Sequence, residues 1–117
     1  MYSSIYLHRV PHYNIDAFVH ILHAAAKLYC EHGAVACRLY APKNMAAKYD
    51  CLPFGDVITI AEHEHFFIEV NEFHDLAHHD AVMAKVDADP RLHQLYEDLK
   101  VIVDVSCIVR GEFEQIL

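Results

Sequence analysis

The chain has no tryptophan, only three glycines and only four prolines in 117 residues. With so few glycines there is no glycine-rich phosphate loop and no dinucleotide-binding fingerprint. The Gly-x-Ser-x-Gly elbow of a serine hydrolase is missing as well. Positive charge is also scarce, with nine Lys and Arg against 17 Asp and Glu and a formal net charge of −8 with neutral histidines. Such a chain repels phosphate backbones, and no basic stripe interleaved with aromatics relieves the acidity, so no nucleic-acid partner is expected. An anionic membrane surface is disfavoured for the same reason. No apolar run approaches the roughly 18 residues of a membrane span. The opening Met1-Tyr2-Ser3-Ser4 lacks a basic stretch and an apolar signal region, so a cytoplasmic location without membrane contact is expected. The cysteines Cys30, Cys37, Cys51 and Cys107 form no Cys-x-x-Cys pair. In a cytoplasmic chain they are expected to be buried thiols behaving as small hydrophobes.

Apolar residues, in contrast, make up 55% of the chain. Residues 1–117 suit one domain that buries a core without metal or disulfide staples. The apolar share exceeds the ordinary globular one and suggests a face reserved for a partner subunit.

Periodicity predicts the elements. Tyr2 to Val10 alternates as a strand, with Ser3, Ile5, Leu7 and Arg9 on one face and Tyr2, Ser4, Tyr6 and His8 on the other. Asn14 is the expected N-cap of a helix from Ile15 to His32, whose stripe is Phe18, Ile21, Leu22, Ala25, Leu28 and Tyr29. Gly33 stands where a left-handed cap ends it. Ala34 to Ala41 is a second strand, Val35, Cys37 and Leu39 alternating against Ala36, Arg38 and Tyr40. A turn-rich connection runs from Pro42 to Asp56, and Val57 to Ala61 is a short apolar piece of open type. His65 to Phe73 is the third strand, where Phe66, Ile68 and Val70 oppose His65, Phe67, Glu69 and Asn71. Asp75 caps a helix to about Ala88, buried through Leu76, Ala77, Val82, Met83 and Val86. Pro90 starts a further helix. The last strand is placed near Ser106 to Gln115, with Val101 to Val105 left open as part of it and Gly111 marking a bulge.

The order β-α-β, long loop, β-α-β is the split βαβ of a ferredoxin-like α+β sandwich, a βαββαβ chain. Its four-stranded antiparallel sheet carries the helices on one face. The open face is expected to hold Tyr6, Tyr40 and Phe67, too aromatic for water, so a homodimer joined sheet to sheet is expected.

The segments Val10-Pro11 with Asn14, Glu31-His32-Gly33-Ala34, and Ala77-His78-His79-Asp80-Ala81-Val82-Met83-Ala84-Lys85-Val86-Asp87-Ala88-Asp89-Pro90-Arg91 resemble the domain of unknown function 1428 family. Arg110-Gly111-Glu112-Phe113 is similar to its closing strand. The family pattern has arginine where His79 stands and asparagine where Met83 stands. The resemblance implies the dimeric α/β-barrel fold and a homodimer, but no activity. More distant members of that superfamily include cofactor-independent monooxygenases and haem-degrading proteins. A tryptophan-dependent haem pocket cannot form in this chain, and no cofactor is expected.

The eleven histidines fall into groups. Asp16, His20, His23, Lys27 and Glu31 recur opposite the helix stripe and read as a solvated face. His74 and His78 are four apart on a helix, and His63 and His65 are two apart beside Glu62 and Glu64. These four are weak metal candidates. The more informative set is Tyr6 and His8, Arg38 and Tyr40, Glu69 and Asn71, one pair from each of three strands. If their alternation classes share a face, they form either a Glu69–Arg38 ion pair with interface tyrosines or a polar-aromatic pocket with His8 as proton acceptor. The functional expectation is a small-molecule-binding protein, extending to cofactor-independent oxygenation or isomerisation. The alternatives are a non-enzymatic dimeric regulatory module and a histidine-based metal-binding protein.

Overall fold

Residues 1–117 are described by a computed structural model. Three alternating stretches form β1 (Tyr2–Pro11), β2 (Ala36–Tyr40) and β3 (Glu64–Phe73), and β4 (Val109–Glu114) closes the sheet. The strand order is β2-β3-β1-β4, and every neighbouring pair is antiparallel. This is the ferredoxin-like order, with α1 (Ile15–Glu31) as the first crossover and α2 (Leu76–Asp87) with α3 (Pro90–Ile102) as the second. No helix is long and apolar enough to cross a membrane.

Local chemistry sets the element ends. Gly33 takes φ +112° after α1, a left-handed turn that side chains resist. Asp75 accepts from the His78 backbone N–H at 2.8 Å, and Asp89 accepts from that of Arg91 at 2.9 Å. Asn14 does not cap α1 through its side chain. The chain enters α1 through a 3-10 turn, His12–Asn14, and the freed Asn14 amide donates to the Ile102 carbonyl at 2.9 Å, tying the start of α1 to the end of α3. Val101 and Ile102 belong to α3, and β4 is shorter than expected because a 3-10 turn, Val105–Cys107, intervenes. Residues 57–61 are irregular. Gly111 is no bulge: it pairs in register with Ile5, and a Cβ there would meet the Phe113 ring at 2.9 Å.

The helices cover one face only. Phe73, Val82, Val86, Leu92 and Ala34 pack together at one end, and Val10, Phe18, Phe67 and Val103 at the other. In α2, His79 is buried and Leu76 and Ala77 are exposed, so the inward row is 79, 82, 86. Asp16, His20, His23, Lys27 and Glu31 are all solvent-exposed.

The register corrects the expected open face. Cys37 opposes Asn71 and Leu39 opposes Glu69, so Cys37 and Leu39 share the helix face and Arg38 and Tyr40 point away from it. Tyr6 and Phe67 face the helices as well: Phe67 is 6% exposed and packs on Phe18. Of the three expected aromatics only Tyr40 lies on the open face, with Ile5, Leu7, Ile68, Val70, Val109 and Phe113. Cross-strand pairing makes these a continuous apolar surface, Val109 beside Leu7, Leu7 beside Ile68, and Ile68 beside Tyr40. Arg38 pairs there with Glu72 at 2.7 Å.

The cysteines are less buried than expected. Cys30, Cys51 and Cys107 are exposed, and Cys37 is half-buried. The Cys37 thiol is pushed up to about 12 by burial and then by the neighbouring Cys30, so it is inert as a nucleophile near neutral pH.

One ionic cluster fastens the α2–α3 junction to the end of α1. Asp89 accepts from Arg91 at 2.8 Å and from His32 at 2.8 Å, and Arg91 reaches Glu31 at 3.2 Å. The Arg91 hydrogen bonds, then that from His32, hold the Asp89 carboxyl well below the usual range. A depressed carboxyl stabilises the fold above its unfolded-state value and ceases to as pH falls through the folded one. The thermal midpoint should therefore fall as pH drops below about 4, the ordinary aspartate range. Asp89→Asn should lower the midpoint by several degrees at pH 7 and flatten its fall between pH 4 and pH 2. Equal acid sensitivity of variant and parent in a melting series would contradict this role.

Candidate functional site

Alternation brings Tyr6, His8, Glu69 and Asn71 to the helix face of the two central strands. Tyr6 pairs directly with Glu69 in the β1–β3 register, and His8 is Glu69's diagonal neighbour. Asn71 follows Glu69 by two residues and so shares its face. The side chains join into one line. His8 Nε2 lies 2.9 Å from Glu69 Oε1, and Asn71 Nδ2 donates to Glu69 Oε2 at 2.9 Å. A carboxylate only accepts, so the His8 nitrogen facing it carries the proton. His8 and Asn71 are each 2% exposed, and His8 Nδ1 and Asn71 Oδ1 have no partner. Buried polar atoms are rarely left so.

Aromatic contacts hold the imidazole. The Tyr6 ring lies nearly parallel to it with centroids 6.1 Å apart, and Phe18 meets its edge at 5.0 Å. The Arg110 guanidinium sits 5.2 Å above the Tyr6 ring, reached because Arg110 pairs with Tyr6 across β1 and β4.

Above this floor lies a cavity of about 760 Å³ between the sheet and helices α1 and α3. Tyr6, His8 and Glu69 line it, with Ile21, Leu22, Ala25 and Tyr29 from α1, Leu92, Leu95, Tyr96 and Leu99 from α3, and Arg110 from β4. The size falls within the roughly 300–1,000 Å³ of ordinary small-molecule sites. A smaller cleft of about 440 Å³ opens at the β2 edge, where Glu69, Asn71, Arg38, Lys27, Cys30 and Cys37 meet. Glu69 borders both.

Arg38 and Tyr40 lie in the other alternation class and stay outside the His8–Glu69–Asn71 line, and only Arg38 borders the cleft at the β2 edge with Glu69 and Asn71. Arg38 pairs with Glu72 and not with Glu69, whose partners are His8 and Asn71. The sequence reading missed Tyr29, Tyr96 and Arg110. Tyr29 stood in the α1 stripe and read as core. The one usable signal for Arg110 was its alternation with Val109 and Gly111.

The weak metal candidates are dispersed. His74 and His78 stack at 4.7 Å, but the His74 backbone N–H donates to His78 Nδ1 at 2.9 Å and occupies that nitrogen. His65 packs edge-on against His12 at 4.3 Å, and His63 lies in the turn before β3, its carbonyl accepting from the His12 N–H at 2.8 Å. No group of three or more His, Cys, Asp or Glu is arranged to hold a metal ion.

The sequence model of one family, described as protein of unknown function (DUF1428), matches residues 1–103. The chain belongs to the DUF1428 family. The match includes the α1 cap and the run through α2 to Arg91, and ends before β4. No curated protein matches this DUF1428 chain. Among solved structures, it is similar to protein Atu4242 from Agrobacterium tumefaciens, with a TM-score of 0.64 at 13% identity, covering 97% of this chain and 92% of that one. It is also similar to HapK from Hahella chejuensis, with a TM-score of 0.59 at 16% identity, covering 99% of this chain and 93% of that one. At these identities the likeness is one of fold, an α+β sandwich with a four-stranded antiparallel sheet.

Proposed function

We propose that this DUF1428 protein is a homodimeric small-molecule-binding protein whose sheet–helix cavity uses His8 as a proton acceptor. The observation that carries the reading is the pairing of His8 Nε2 with Glu69, which leaves the buried Nδ1 unpartnered. A neutral imidazole with Nε2–H held by a carboxylate keeps an unshared lone pair on the buried Nδ1. Glu69 also stabilises the imidazolium that forms when Nδ1 takes a proton, and Asn71 fixes Glu69 in turn. This is the orienting logic of a base held by a third group. It suits cofactor-independent proton transfer, as an isomerase or an oxygenase acting on a carbon acid requires. The apolar sheet face supports the homodimer, since monomers rarely leave a large apolar patch in water.

Two measurements test the site. Long-range nitrogen correlation spectra of histidine-labelled protein should show the neutral His8 ring with the proton on Nε2 and none on Nδ1. A screen of neutral aromatic fragments should then shift the signals of Leu22, Leu95 and Tyr96, and Ala25→Trp, which fills the cavity, should abolish those shifts. A proton on Nδ1 of a neutral ring would overturn the acceptor role. Fragments that leave the cavity signals untouched would overturn the binding reading.

A further inference from the structure

Glu69 carries a charge that no cation of the fold answers. Its one ion-pair partner is His8 at 2.9 Å, and that ring is neutral while Nδ1 is bare. Its other hydrogen bond comes from the uncharged Asn71 amide. Arg38, on the opposite face of the sheet, is taken by Glu72 at 2.7 Å. Lys27 borders the smaller cleft with Glu69, but it is solvent-exposed and makes no ion pair there. A carboxylate withdrawn from water without a counter-charge is costly. Glu69 is nonetheless held in place, with 18% of its side chain still accessible, and it lines the cavity between the sheet and helices α1 and α3. Each of its oxygens accepts one hydrogen bond and keeps a second lone pair.

The rest of the wall has the same sign. Its fully charged side chains are three acids, Glu69, Asp87 and Glu97, and one base, Arg110. Glu112, from outside the lining, already neutralises Arg110 at 2.9 Å. Lys100 answers Glu97 at 3.2 Å, whereas Asp87 is exposed at the cavity edge. His93, also on the wall, is tied to the Asp87 carbonyl. Aromatic faces attract cations as well. Arg110 over Tyr6 and Lys100 over Tyr96, each at 5.2 Å, use two of them, and Tyr29 on the same wall carries none. Twelve of the 18 lining residues are hydrophobic.

We propose that the cavity takes a hydrophobic monocation, a protonated amine on an aromatic or aliphatic skeleton, with its ammonium group at Glu69. This rests on the reading of the cavity as a small-molecule site with a neutral His8. The ammonium N–H groups donate to the free lone pairs of the Glu69 oxygens. Its charge supplies what neutral His8 and Asn71 do not. The skeleton packs between Leu22 and Ala25 of α1 and Leu95 and Leu99 of α3. An anionic ligand of the same shape meets Glu69, Asp87 and Glu97 and is repelled.

The test compares 2-phenylethylamine, 2-phenylethanol and phenylacetate, which share a skeleton and differ in charge. Calorimetry gives the affinities, and protein shift mapping of Leu22, Leu95 and Tyr96 locates the ligand. The amine should bind about 10-fold or more tighter than the alcohol, the lower end for a hydrogen bond to a charged group. Phenylacetate should leave the cavity signals unmoved. Glu69→Gln keeps an acceptor for Asn71 and offers a donor to His8, and it should bring the amine and the alcohol to equal affinity. Asp87→Lys, an exposed change, should weaken the amine several-fold and spare the alcohol, which keeps the charge argument testable should Glu69→Gln fail to fold. Equal affinity of amine and alcohol for the parent would overturn the ligand class and leave the cavity reading standing. An amine preference that survives Glu69→Gln would overturn the role of Glu69, and one that neither substitution touches would overturn the role of the wall's charge. If none of the three compounds perturbs the cavity signals, the inference and the binding reading fall together.

Discussion

Ile68→Asp should turn a dimer into a folded monomer. Ile68 lies at the middle of β3 on the open face, beside Leu7 on one side and Tyr40 on the other. Within one chain it is only half-buried, so an aspartate there keeps its hydration and the core beneath is untouched. In a two-fold dimer closed through this face, the same aspartate would be buried twice, once from each subunit. An unpaired buried charge costs about 3–5 kcal/mol, and two of them exceed about 6 kcal/mol, enough to shift a dissociation constant by more than about 10,000-fold. Sedimentation at micromolar concentration should therefore give a dimer for the parent and a monomer for the variant, with matching far-ultraviolet circular dichroism. Phe113→Asp, at the more exposed end of β4 and 55% accessible, is the second test should the first variant precipitate. A parent chain that sediments as a monomer would remove the dimer from the proposal.

Alternation made the two faces of each strand legible in the sequence, and the residues it sorted within β1, β2 and β3 keep their classes in the register. What it lacked was the registration between strands. Arg38 and Tyr40 were grouped with His8 and Glu69 because the types looked complementary, but Cys37 and Leu39 occupy that face. A strand read alone does not say which class faces the helices, and a shift of one residue moves every side chain across the sheet. The polar line His8–Glu69–Asn71 was within reach for a related reason. Glu69 and Asn71 sit two apart on one strand, so they share a face whatever the pairing. The cavity walls were not legible. Tyr29 and Tyr96 carry the same periodic signal as core residues, and only the separation of α1 and α3 from the sheet makes them a lining. Asn14 illustrates a third limit: a residue suited to capping was captured by a carbonyl 88 positions away, a contact that no local pattern encodes.

Phe67→Asp, one residue before Ile68, should have the opposite consequence and leave no folded protein in any oligomeric state. Phe67 faces the helices, 6% exposed, and packs with Val10, Phe18 and Val103, its ring 5.3 Å from that of Phe18. Removing a buried phenylalanine side chain costs about 3–5 kcal/mol. The aspartate left in its place has no partner: in the register it stands opposite His8, whose Nε2 is already engaged by Glu69. That unpaired charge adds about another 3–5 kcal/mol. The sum, roughly 6–10 kcal/mol, reaches or exceeds the total stability of many domains, about 5–15 kcal/mol. Circular dichroism of Phe67→Asp should show no cooperative melt, while Phe67→Leu, which keeps most of the apolar volume, should melt cooperatively a few degrees to about ten degrees below the parent. The pair separates the two faces of β3: loss of folding at 67 with retention at 68 is expected from this register, and a folded Phe67→Asp monomer would mean that Phe67 lies on the open face after all.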